Sequence, residues 1–168
     1  WNYDAPSCGM ANASTPVVQG DAVFAASGYG NGGGRADIRK SDSGMKASEK
    51  FFVRQLQNQH GGIVLYEGHV YGTSETSLMC VSFDTGEVVK SVRGAGKGSI
   101  VIADGMIYHR GERGMVCLVE ASPKLTEKGR FTPRDRSGDN TWAAPAVAGG
   151  KLYLRDWDLL LIYDVKEK

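Results

Sequence analysis

The chain has 168 residues, with 20 basic against 19 acidic side chains and a formal charge of +1. That balance excludes a broad cationic footprint for nucleic acid and a polybasic membrane surface. No unbroken apolar run exceeds five residues (Leu159 to Tyr163), against the roughly 20 of a membrane-spanning helix.

Glycine is 23 of 168 residues, about twice its usual share. It is interspersed with Val, Ile, Leu and Tyr, which predicts many tight turns between short strands in one domain. The chain opens on Trp1, and no charged n-region with an apolar h-region follows it. The expectation is a removed leader or a piece of a longer chain. Asn12-Ala13-Ser14 is a glycosylation sequon, meaningful only in a eukaryotic secretory setting.

Pro16-Val17-Val18-Gln19-Gly20-Asp21-Ala22-Val23-Phe24 is the first of four segments in one frame. Each reads as an apolar strand, a glycine turn and a second strand closing on an aromatic ring. In this first segment the turn glycine is displaced by one. Gly28-Tyr29-Gly30-Asn31-Gly32-Gly33 formally matches G-x-G-x-x-G, but a dinucleotide fingerprint opens a helix. Here Ala36-Asp37-Ile38-Arg39-Lys40 alternates like a strand, so the stretch reads as a glycine hairpin. A helix from Met45 to Gln59 competes with a strand over Lys50 to Arg54, because no Gly or Pro interrupts it. The repeat register requires the strand.

Ile63 to Tyr71, Ile100 to Tyr108 and Pro145 to Tyr153 carry the same frame. Tyr71 to Tyr108 is 37 residues, Tyr108 to Tyr153 is 45, and Phe24 to Tyr71 is 47. Nine residues after the tyrosines come Cys80, Cys117 and Ile162, each inside a third apolar strand. Cys80 and Cys117 thus fall at one strand position in successive units and are expected to be buried free thiols, too far apart for a disulfide. Asp84-Thr85-Gly86-Glu87 turns the second unit into its fourth strand, Val88-Val89-Lys90. Gly94-Ala95-Gly96-Lys97-Gly98-Ser99 is similar to a phosphate-binding loop, but Gly98 separates Lys97 from Ser99 and a strand follows. It reads as a connection between units.

Several short strands per unit of about 37–47 residues indicate propeller blades, each a four-stranded antiparallel sheet around a channel. The fold class is therefore an all-β propeller of four repeats, approximately 14–57, 58–94, 95–139 and 140–168. The last unit lacks an outer strand. Either residues 1–13, around Trp1-Asn2-Tyr3, supply it and close the ring, or the four units are half of a larger one.

Ala103-Asp104-Gly105-Met106-Ile107-Tyr108 and Asp84-Thr85-Gly86-Glu87-Val88-Val89 resemble the PQQ-like β-propeller repeat of quinoprotein alcohol dehydrogenases. The resemblance covers roughly residues 14–166 and departs at Lys90, where that repeat often carries Trp. It implies a propeller usually of seven or eight blades, periplasmic or secreted. A dehydrogenase of this kind would need PQQ, a divalent cation such as calcium and an aspartate base, and no residue here maps onto those positions.

The segments entering each first strand should converge at one mouth of the channel. Five positions before Val18, Leu65, Ile102 and Val147 stand Ala13, His60, Lys97 and Trp142. One position earlier stand Asn12, Gln59, Gly96 and Thr141. Asn12, His60, Lys97 and Trp142 are the candidate ligand- or partner-binding residues, able to meet an anion, a sugar or a peptide. No catalytic or metal-ligating set is expected: His60, His69 and His109 have no zinc spacing, and no Ser-His-Asp arrangement can be assembled. The expected role is a non-catalytic, cofactor-free platform for a protein or polymer partner, or for a second propeller half. The alternative is part of a PQQ-dependent dehydrogenase of alcohols or sugars.

Overall fold

Two-residue turns set the blades. Glu67-Gly68 and Asp104-Gly105 both hold positive φ at each residue (46° and 73°; 49° and 71°), as does Gly149-Gly150 (58° and 73°). That is the type I′ turn, whose twist matches the strands it joins. In the corresponding turn of the first unit, Gly20-Asp21, only Gly20 is positive, at 57°. A type II′ turn needs glycine first, which explains the displaced residue in the repeat frame.

The computed structural model describes residues 1–166, so the last two positions of the fourth repeat lie outside the described residues. Blade one comprises β1 (Val17–Gln19), β2 (Ala22–Ser27), β3 (Gly32–Ser41) and β4 (Gly44–Val53). Blade two comprises β5 (Ile63–Tyr66), β6 (His69–Thr73), β7 (Leu78–Ser82) and β8 (Val88–Val92). Blade three comprises β9 (Gly98–Ala103), β10 (Met106–Gly111), β11 (Val116–Glu120) and β12 (Glu127–Phe131). Blade four has β13 (Ala146–Ala148), β14 (Lys151–Asp156) and β15 (Leu159–Asp164). All neighbours pair antiparallel. Among the described residues there is no helix, hence none long and apolar enough to cross a membrane.

The first strands β1, β5, β9 and β13 stand side by side in that order, which makes this a β-propeller with first strands innermost. The competing helix over 45–59 does not form. The Asp42-Ser43 turn, closed by the Ser41 hydroxyl on the Gly44 carbonyl at 2.8 Å, pairs β4 with β3 from Ser41↔Gly44 onward.

Strand alternation sends successive side chains to opposite blade faces. Val70 and Val81 face blade one, in a core with Phe24, Ala26, Met79 and Phe83. Their neighbours Tyr71 and Cys80 face blade three, in a core with Ile107, Cys117 and Val119. Cys80 and Cys117 are both buried and free, as the register requires. Val116, adjacent to Cys117, turns the other way to meet Leu152 and Leu154 of blade four.

Residues 1–13 do not supply the outer strand of blade four, and β15 is the edge of a three-stranded sheet. A turn closed by Ser7 N–H on the Asp4 carbonyl at 2.8 Å breaks up the segment. Its polar groups go to blade one. Tyr3 Oη donates to Glu49 at 2.9 Å, Ser27 Oγ donates to the Pro6 carbonyl at 2.5 Å, and Asn31 Nδ2 donates to the Ser7 carbonyl at 2.9 Å.

Candidate functional site

One end of the propeller carries the connections entering each first strand and the hairpins between second and third strands. Three of the four expected mouth residues meet there. The His60 and Trp142 rings lie 5.9 Å apart between centroids. Trp142 Nε1 donates to Glu112 Oε2 at 3.3 Å, and Lys97 Nζ reaches the same oxygen at 3.0 Å. Asn12 stands apart. It exchanges hydrogen bonds with the Cys8 backbone at 2.9 and 3.0 Å, inside the N-terminal segment.

The local backbone fixes these side chains. Thr141 N–H donates to the Glu112 carbonyl at 2.8 Å, which holds Trp142 over the β10–β11 hairpin. Glu112 N–H donates to the Lys97 carbonyl at 2.8 Å, so the carboxylate and the ammonium start from one anchored pair of chains. The Gly94-Ala95-Gly96 stretch wraps a buried imidazole. Ala95 N–H donates to His109 Nδ1 at 3.2 Å, and His109 Nε2 donates to the Gly96 carbonyl at 2.9 Å. A Cβ at Gly94, where φ is +53°, would stand 2.7 Å from His109 Nδ1. The phosphate-loop-like run is thus a structural connection between blades.

Electrostatics binds the group. Burial draws the Glu112 carboxyl upward, but hydrogen bonds from Lys97 and Trp142 and the charges of Lys97 and His60 outweigh it and hold it below its ordinary range. Burial, then the Lys97 charge, pushes His60 below its ordinary range, against the pull of Glu112 and Glu75. His60 Nε2 is buried with no hydrogen-bond partner among the described residues. The site therefore offers a half-buried imidazole with an unused polar atom, a paired ammonium and carboxylate, and an indole that is 62% exposed.

Glu112 was not among the expected residues, yet the signal is present. Counting four past the closing aromatic of each second strand gives Gly28, Glu75, Glu112 and Trp157. Glu75 accepts from Gln59 Nε2, so this second ring of positions meets the first at two blades. Among the described residues no three of His, Cys, Asp and Glu group as a metal site.

No family model matches the chain, and no curated protein is similar to it. Solved structures are. BamB from Moraxella catarrhalis is 19% identical with a TM-score of 0.63, covering 89% of this chain and 41% of its own. A europium-containing methanol dehydrogenase is 13% identical with a TM-score of 0.57, covering 74% of this chain and 25% of its own. The computationally designed Ika4 protein is 8% identical with a TM-score of 0.63, covering 99% of this chain and 100% of its own. This chain thus spans less than half the length of the first two, and the likenesses show the β-propeller fold.

Proposed function

We propose that this chain is a non-catalytic PQQ-like β-propeller module, periplasmic or secreted, that binds a protein or polymer partner at the end bearing His60, Lys97, Glu112 and Trp142. The observation that carries this reading is the joining of an exposed indole, an ion pair and an imidazole with an unused buried nitrogen on one rigid face. Fold neighbours include a dehydrogenase, but function lives in sites rather than folds. No cofactor is part of the proposal.

Two measurements test it. An ultraviolet-visible spectrum after incubation with PQQ and Ca²⁺, followed by desalting, is expected to show no retained quinone band. A stoichiometric band overturns the reading in favour of a dehydrogenase part. Trp142→Ala with Lys97→Ala is expected to abolish retention of the co-purifying partner while changing stability by no more than about 1 kcal/mol, since partly exposed pairs are weak. Retention unchanged by both substitutions places the interaction elsewhere.

A further inference from the structure

Beside the Lys97–Glu112 pair lies a cleft of about 680 Å³ between the β6–β7 and β10–β11 hairpins. It is lined by Arg93, Lys97, Arg113, Arg130 and Arg136 against two carboxylates, Glu75 and Glu112. Lys97 is paired with Glu112 and Arg130 with Glu127. Among the described residues Arg93, Arg113 and Arg136 have no carboxylate within salt-bridge distance. Arg136 is held in place rather than trailing in solvent. Its stem lies across the hairpin at Gly114 (φ +87°), where a Cβ would stand 2.9 Å from Arg136 Cδ. Three unmatched guanidiniums in one concavity suit carboxylate or sulfate oxygens.

On the far side of Glu112 the chemistry changes. Trp142 and Trp157, each 62% exposed, line a shallow groove of about 570 Å³. Trp157 occupies the β14–β15 turn with φ +54°. A bulky residue there is a backbone outlier. Two flat apolar rings suit the faces of sugar rings. Glu112 Oε2 meets both Trp142 Nε1 and Lys97 Nζ, so the indole groove and the arginine cleft adjoin at this residue.

We propose that this surface binds an anionic polysaccharide, its sugar rings stacked on Trp142 and Trp157 and its carboxylates or sulfates held by Arg93, Arg113 and Arg136. The proposal deepens the binding-module reading and rests on it. An acidic peptide would use the arginines and have no need of the two indoles.

Affinity electrophoresis in gels containing polygalacturonate, heparin, dextran or poly-glutamate tests the proposal. The wild-type protein should be retarded by polygalacturonate or heparin at least tenfold more strongly than by dextran or poly-glutamate. The preferred one of the two identifies carboxylate or sulfate. Arg113→Ala with Arg136→Ala should weaken that retardation at least tenfold. Trp157→Asn, which relieves the left-handed turn, should weaken it similarly without lowering the thermal midpoint. Poly-glutamate binding equal to polygalacturonate and insensitive to Trp157→Asn overturns the proposal in favour of an acidic peptide. If neither anionic polysaccharide binds while Trp142→Ala with Lys97→Ala still loses the co-purifying partner, the sugar class falls and the binding module stands.

Discussion

His109 shows how one buried side chain ties stability to pH. Its ring is fully buried, its Nδ1 accepts from Ala95 and its Nε2 donates to Gly96. Those roles fit only the neutral imidazole. Burial pushes its pKa from 6.5 down to about 4, with the Gly96 carbonyl pulling the other way. Between these values the unfolded chain binds a proton that the folded chain does not. The His109 contribution is therefore complete above about pH 6.5 and is lost as pH falls toward about 4, a difference of about 3 kcal/mol. His60 shifts in the same direction by the same cause. His109→Gln keeps a donor for Gly96 and removes the titration. Urea unfolding at pH 7.5 and pH 4.5 should find the variant less stable at the higher pH, with the gap to wild type closing or reversing at the lower. Parallel pH dependences for the two proteins would mean that His109 does not titrate in this window.

Between elements, the third interface has the smallest apolar core and adds a buried ion pair. Arg110 on β10 and Asp156 on β14 are each 1% exposed and 3.2 Å apart. Arg110 also donates to the Arg155 carbonyl, and Ser137 Oγ donates to Asp156 at 2.5 Å. Asp156→Ala strands a buried guanidinium and should cost about 3–5 kcal/mol. Arg110→Met with Asp156→Leu should recover most of that loss in urea unfolding, and a single-variant cost below about 1 kcal/mol would show the pair to be solvated. The hairpin frame was legible in the sequence because turn chemistry is local: Asp104-Gly105 or Gly149-Gly150 specify a turn with no knowledge of the rest. The mouth at His60, Lys97 and Trp142 was legible because equal offsets in successive blades reach equal places. Glu112 and Trp157 obey a second offset that applies the same logic to the other loop. Asn12 stands apart from them because the N-terminal segment turns back on itself there, tying Asn12 to the Cys8 backbone. The Arg110–Asp156 pair carried no signal, since its partners lie 46 residues apart and meet only once two blades stack.

At the scale of the molecule, the two ends of the blade series differ. The outer face of blade one is covered by the N-terminal segment, with Tyr3 over Gly34 and its hydroxyl on Glu49. Among the described residues nothing covers the outer face of blade four. Ile162 pairs with Tyr153 and Leu160 with Arg155 on that face, and Leu160 and Ile162 are 61% and 51% exposed. In every other interface the corresponding face packs on the next blade. A bare apolar sheet face with β15 as an unpaired edge favours association. Because blade one is covered, a second copy meets this face best with its own blade four, a two-fold arrangement in which Leu160 and Ile162 face their equivalents. Light scattering of the 168-residue chain should therefore give about twice the 18.1 kDa of one copy. Leu160→Lys with Ile162→Lys should return it to one, with the blade cores and the His60–Trp142 site unchanged. A wild-type monomer at concentrations up to about 1 mM, where even weak association of about −4 kcal/mol would register, would show that this face does not join two copies.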